Sequence, residues 1–296
     1  MKILDYGSAS LDLVFAVDHI SMPGETISSA GREIFPGGKG LNQAIAAAKA
    51  GAEVYFAGII GTDGGMLEQA FQTAGVRTDY LQVSKTVPTG NALIQVDAAG
   101  QNSIVLFAGT NHTHTVETMD RVLSQFQPGD ILLMQNEINL VDVLIDKAYE
   151  RGLTIALNPS PFNAAIAACD LQKVGIFLLN EIEGEQLTGE HDEANILKAL
   201  GQRFPEARIV LTLGEKGVRY HDSRGDLSQE AFPVKAVDST AAGDTFTGFF
   251  LAALVRGLST QEALRIAARA AAISVCHKGA SSSIPAWDTV MQALGE

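Results

Sequence analysis

The stretch DSTAAGDTF, Asp238 to Phe246, sets two acids around a run of small residues just before the apolar segment Phe249 to Val255. Such spacing suits an anion site. Asp244 is expected in the first turn of a helix ending near Gly257. Free backbone N–H groups there carry partial positive charge, and small side chains let a phosphate reach the backbone. An Asp before an apolar run is otherwise a plain helix cap. The adjoining Ala241, Ala242 and Gly243 favour the anion reading.

PGGKGLNQ, Pro36 to Gln43, looks like a second phosphate loop, but Gly40 follows Lys39 where a P-loop needs Ser or Thr for magnesium. A glycine turn before a helix accounts for it equally well. TLGEKG, Thr212 to Gly217, reads as a strand running into a hairpin turn, or as backbone wrapped around a nucleotide. His112 and His114 read as a solvated loop pair rather than a zinc site.

Elements must place these groups together. From about residue 130 onward, short apolar runs that end in a polar residue alternate with helical spacing, as in DILLMQNE, LTIALNPSP, VGIFLLNEIE and ARIVLTLGEKG. That alternation predicts a parallel sheet covered on both faces, with ligands outside the carboxyl ends of its strands. Glu137, Asn158, Asn180, Thr212 and Asp244 are expected at those ends, with a strand leading into the helix of Asp244. Two stretches instead alternate in period two, LDLVFAVDHI with ETISSAGREIFP, and TGNALIQVDAAGQNSIVLFAG. They predict four antiparallel strands in a small accessory sheet, with a turn at Ala98 to Gly100. Between them a helix is expected through Leu41, Ala44, Ile45 and Ala48, stopping at Gly51.

GSASLD, GGKGLNQA, GIIGTDGGMLEQAFQTAGV, MQNE, NEIE, TLGEKGV and DSTAAGDTFTG stand in one order along nearly the whole chain. With these motifs the chain resembles the ribokinase family of carbohydrate kinases. The resemblance implies a three-layer αβα fold with a mostly parallel central sheet and a small β-sheet lid. Residues 1–296 would form a single kinase domain, with the lid built discontinuously from about 11–36 and 88–108. It further implies ATP-dependent transfer of the γ-phosphoryl group to a hydroxyl of a pentose or similar furanose, ribose foremost, with magnesium. A nucleoside kinase of the same fold and a non-catalytic sugar-binding protein are the alternatives.

By position, the resemblance makes Asp244 the general base, with Gly243 and Ala242 presenting N–H groups to the phosphoryl group. Ser10, Asp12, Gly38, Lys39, Asn42 and Glu137 would join Asp244 at the sugar. Asn180, Thr212, Gly214, Gly217 and Gly243 would contact the nucleotide, and Glu183 would serve magnesium or phosphate. Asp238, Thr240, Ser274, His277, Gly279 and Ser283 would hold a monovalent cation, potassium by size. Three positions depart from the family: Ser10 replaces an asparagine at the sugar, Ala268 a histidine near adenine, and Phe249 a small residue. They bear on substrate choice, nucleotide affinity and helix packing respectively.

Composition sets the outer limits. With 296 residues, 46% hydrophobic and 19% charged, the chain can bury a large core. A net charge of -13 without Lys/Arg clusters argues against a nucleic-acid partner. No apolar run is long enough to span a bilayer, and the acids Asp5 and Asp12 do not suit a signal peptide. Two distant cysteines, Cys169 and Cys276, are expected as core thiols of a reduced, cytoplasmic protein. The lid strands would leave an edge for a second subunit to cover, giving a homodimer.

Overall fold

A computed structural model describes residues 1–295. The chain opens with β1 (Ile3–Tyr6), β2 (Ser10–Ala16), β3 (Gly31–Gly37), α1 (Lys39–Lys49), β4 (Val54–Gly61) and α2 (Gly65–Ala74). Next come β5 (Arg77–Ser84), β6 (Gly90–Val96), β7 (Asn102–Phe107), α3 (Val116–Leu123), β8 (Ile131–Gln135) and α4 (Val141–Glu150). They are followed by β9 (Thr154–Asn158), α5 (Ala164–Ala167), β10 (Ile176–Asn180), α6 (Glu181–Thr188), α7 (Glu193–Arg203) and β11 (Arg208–Thr212). The last elements are β12 (Val218–Asp222), β13 (Gly225–Gln229), α8 (Ala242–Val255), α9 (Thr260–Ser274) and α10 (Trp287–Leu294).

A nine-stranded sheet in the order β13-β12-β11-β10-β9-β8-β1-β4-β5 forms the middle layer. Its pairings are parallel from β5 through β11, and β12 turns back antiparallel. Because side chains alternate across a strand, each strand feeds two cores. Ile3, Ile131 and Leu133 pack with residues of α1, α8 and α9 on one face. Leu4, Tyr6, Leu132 and Met134 pack with α3, α4 and α7 on the other. The three-layer arrangement follows from that double burial.

The second sheet, β3-β2-β6-β7, is made by the two period-two stretches. β2 with β3, and β6 with β7, are antiparallel as the alternation predicts, and Gly100 turns with φ 80. The central β2–β6 pairing is parallel, which corrects the all-antiparallel expectation. These strands come from separate hairpins, so no tight turn forces them to run opposite ways.

Three further expectations are corrected, and the sheet is wider than the alternation after residue 130 alone describes. Residues 230–241 contain no strand, so nothing extended leads into α8, and Asp244 lies in that helix rather than at a strand end. β1, β4 and β5, from the first half, also belong to the main sheet. Cys169 and Cys276 are half-buried free thiols, not core residues. His114 is buried against Tyr6 with neither ring nitrogen partnered, and burial pushes its pKa down to about 4; only His112 is exposed. Among the described residues, no helix is long and apolar enough to cross a membrane.

Candidate active site

The glycines of PGGKG serve a close approach. The start of α1 lies against residues 7–10, where the N–H of Leu41 donates to Ser8 O at 2.9 Å. A Cβ at Gly40 would sit 2.5 Å from the Ser8 nitrogen, and Gly38 turns at φ 94 against Ala9 and Ser10. Only glycine fits both places. This contact brings the GSASLD and GGKG motifs together, and with them most of the expected sugar residues.

Glu137, two residues beyond β8, accepts from the backbone N–H of Lys39 at 3.0 Å and from the Ser8 hydroxyl. Burial, with help from the neighbouring Glu137 carboxylate, raises the Asp12 carboxyl to about 6. The Lys39 ammonium is held above its usual range. Burial opposes its charge, but the carboxylates of Asp244, Glu137 and Glu183 together outweigh that effect. Ser10 has a partner of its own: its Oγ accepts from Asn111 Nδ2 at 3.0 Å, while Asn111 Oδ1 accepts from the Ala9 N–H at 3.1 Å.

Asp244 is not a cap. Residue Ala241 occupies the cap position of α8 in the left-handed region, φ 58, with no side-chain capping bond. That conformation costs an alanine about 1–2 kcal/mol. The Asp244 side chain, 6% exposed, instead accepts from Asn42 Nδ2 at 3.1 Å and Gln43 Nε2 at 2.8 Å. Ala242 N–H is engaged in a turn with Ser239 O at 3.2 Å. Gly243 N–H has no acceptor among the described residues, and a Cβ there would meet nothing within 4 Å. Gly243, more than Ala242, therefore presents a free donor beside open space, as an anion at a helix start requires.

A cleft of about 210 Å³ joins Lys39, Asn180, Glu183, Thr212, Gly243 and Asp244. Asn180 and Glu183 begin α6 as a reciprocal capping box, with N···O distances of 2.9 and 3.0 Å. Only Glu183 Oε2 is used in it, so Oε1 remains for a ligand. Gly214 and Gly217 lie in the β11–β12 hairpin outside the cleft lining. Gly217 is dictated by backbone fit, since a Cβ would lie 2.1 Å from Gln229 O.

The Asp238 carboxylate joins two loops, accepting from Thr240 N and Oγ1 and from the N–H of Gly279. Burial opposes its ionisation, but these donors prevail and hold it below the usual carboxylate range. Ser274 and Ser283 donate their hydroxyls to Ala271 O and Ala280 O in their own turns. His277 is exposed and lies against Ile273 O. Of this set, the Thr240 hydroxyl and the backbone N–H groups of Thr240 and Gly279 meet at Asp238, while the Ser274, Ser283 and His277 side chains bond to carbonyls of their own segments.

The model of the family described as pfkB family carbohydrate kinase matches residues 2–287. The chain belongs to the pfkB family of carbohydrate kinases. The ribokinase of Haemophilus influenzae is 38% identical, with 97% of this chain and 96% of that protein covered. A ribokinase structure from Thermotoga maritima superimposes with a TM-score of 0.88 at 36% identity, over 100% of both chains. The Arabidopsis thaliana ribokinase, solved with ribose and ATP, gives 0.87 at 29% identity, over 100% of this chain and 99% of that one.

In this pfkB kinase, residue-by-residue reading named Asn42 but missed Gln43, the other amide on Asp244, and the side chains behind it. Gln43 and Gln135 lie inside motifs but were given no role, and Asn111 was overlooked. Asp5 carried its own signal: an acid inside the buried strand ILDY, where a parallel sheet calls for an apolar residue.

Proposed function

We propose that the chain transfers the γ-phosphoryl group of ATP to a hydroxyl of a pentose or similar furanose, ribose foremost. The observation that carries this reading is the meeting of Asp244, Lys39 and the open start of α8 in one cleft. The sugar hydroxyl attacks the γ-phosphorus and gives its proton to Asp244. The bond to the bridging oxygen breaks, and ADP leaves with the electron pair. Asp12 and Glu137 accept from other sugar hydroxyls. The Lys39 ammonium and the N–H of Gly243 face charge on the transferring group, so positioning and electrostatics supply the acceleration. Asn180, Thr212, Gly214 and Gly217 lie on the nucleotide side. Glu183 Oε1, unused by the capping box, suits magnesium, which when bound neutralises phosphate oxygens.

The test is ADP release with ATP, magnesium and a panel of furanoses and nucleosides. No release with any pentose would overturn the reading. Ser10 sharpens the panel. Its Oγ accepts from Asn111, which frees the hydroxyl proton for the sugar but leaves less reach than an asparagine amide. Ser10→Asn is expected to raise kcat/KM for ribose relative to the other substrates by about 5- to 150-fold. An unchanged ratio would show that Ser10 does not select the substrate.

Asp238, which ties the loop before α8 to Gly279, would with backbone oxygens of these loops hold a monovalent cation, potassium by size, and the cation would keep the loop in shape. Activity is expected to rise in potassium over a bulky organic cation, and Asp238→Ala to lose that response. Equal rates in both salts for the parent protein would exclude the cation.

The second sheet supports a lid over the sugar and a dimer. Its outer strand exposes Ile104, Val105, Leu106 and Phe107, each at least half exposed. Patches of this kind usually meet a partner, and an edge strand invites one. A dimer is expected in sedimentation, with Leu106→Glu monomeric; a parent monomer at micromolar concentration would refute it. Half-buried free thiols fit the reducing cytoplasm as the place of action.

A further inference from the structure

Behind Asp244 lies a chain of side chains that phosphoryl transfer does not itself require. Gln43 donates Nε2 to Asp244 Oδ1 at 2.8 Å and accepts at Oε1 from Gln135 Nε2 at 2.8 Å. Gln135 Nε2 also donates to Asp5 Oδ1 at 3.2 Å. Asp5 and Gln43 are wholly buried, and Gln135 is 1% exposed. The fold sets this line directly. Asp5 pairs in register with Phe56 and Leu133 on the helix-α1 face of the sheet, Gln135 ends β8 on the same face, and α1 carries Gln43 above them.

The polarity of the line is determined end to end. Both hydrogens of the Gln135 amide are used, one on Gln43 and one on Asp5. A reversed Gln135 would aim its carbonyl at the Gln43 carbonyl, and a reversed Gln43 would aim its own at the Asp244 carboxylate. Two bare contacts show that the arrangement is not the cheapest packing. Asp5 Oδ2 and Gln135 Oε1 are buried with no hydrogen-bond partner. An apolar residue at position 5 would remove the bare Asp5 oxygen and match its sheet neighbours, at the expense of one Gln135 hydrogen left without an acceptor. Burial raises the Asp5 carboxyl well above the usual range, and nearby Asp244 adds to the effect.

We propose that Asp5, Gln135 and Gln43 form a buried relay of fixed polarity that holds the Asp244 carboxylate in its proton-accepting rotamer, Gln43 and Asp5 being positioning residues. The inference rests on the reading of Asp244 as the base.

The test compares Gln43→Met, Asp5→Leu, Asp5→Asn and Asp244→Asn by kcat, by KM for ribose and ATP, and by thermal midpoint. Gln43→Met is expected to lower kcat up to about 100-fold at unchanged KM, the effect of misplacing a reacting group. Asp5→Leu removes one relay bond and should lower kcat by about 10-fold, measured at a temperature where the variant is fully folded. Asp5→Asn retains a carbonyl acceptor in the same place and should recover most of that loss. The double variant Asp5→Leu/Gln43→Met should be no slower than Gln43→Met alone. Parental kcat in Asp5→Leu, equal losses in the Leu and Asn variants, or a kcat loss that follows a lowered midpoint would each overturn the relay. Where Gln43→Met does not fold, the two Asp5 variants decide. A slow Asp244→Asn beside a fast Gln43→Met refutes the relay alone, whereas a fast Asp244→Asn refutes the base on which it stands.

Discussion

Asp244→Asn is expected to lower the turnover number by about 10²- to 10⁴-fold, the range for a positioned general base. Folding and ATP binding should survive, for a reason visible in the contacts. The carboxylate accepts from two amides, Asn42 and Gln43. An asparagine at 244 can accept from only one, and its own amide would then face the other donor. Asn42 relieves that conflict, because its Oδ1 is buried and unpartnered and can accept after the side chain turns over. Alanine at the same place would leave both donors without an acceptor, a loss of about 1–3 kcal/mol for each. The asparagine variant thus separates chemistry from stability. Steady-state turnover, the thermal midpoint and ATP affinity measured together check it, and turnover within about threefold of the parent would remove Asp244 from proton transfer.

Asp244 also shows where sequence reading ends. The small residues around it announced an anion site, and its place in the first turn of α8 is as expected. Its partners lie 201 and 202 residues away, on α1. Local patterns describe what a residue can do, whereas distant packing decides which neighbour it meets. The later strands were legible because parallel strands buried on both faces read as continuous apolar runs, as in Ile131 to Met134. β5 was not, since RTDYLQVS is exposed or half-buried along its length and resembles a surface strand. Asn180 and Glu183 carry both the bland and the functional reading at once. They cap α6 and line the cleft, because a helix start at a strand end is also where a phosphate binds. The residues expected to hold a cation were legible only as oxygen-bearing residues; the Ser274 hydroxyl turns to Ala271 O in its own helix and the Ser283 hydroxyl to Ala280 O in its own turn.

The partnership of α1 and α8 rests on one residue without a side chain. A Cβ at Gly248 would lie 2.4 Å from Ala46 Cβ, 2.5 Å from Ala47 N and 2.8 Å from the Ala46 carbonyl carbon. Two of those atoms are backbone, so a rotamer change cannot relieve the clash; one helix must move. Gly248 lies one turn along α8 from Asp244, and Ala46 one turn along α1 from Asn42. Any parting of the helices at this contact is passed to the bonds that hold the Asp244 carboxylate. Gly248→Ala is therefore expected to lower turnover by about 10²-fold, since a displacement near 1 Å at a reacting group costs that much. Overpacking should also lower stability by about 1–3 kcal/mol. In an open helix interior the same change would favour folding, because alanine is the better helix former. Gly65, at the start of α2 with nothing within 4 Å of its added Cβ, provides the comparison. Gly65→Ala should leave turnover at the parental value and the thermal midpoint unchanged or higher. Turnover is to be compared at a temperature where both variants are fully folded. A Gly248→Ala enzyme with parental turnover there would mean that α1 and α8 separate without carrying Asn42 and Gln43 away from Asp244, and that helix packing does not position its carboxylate.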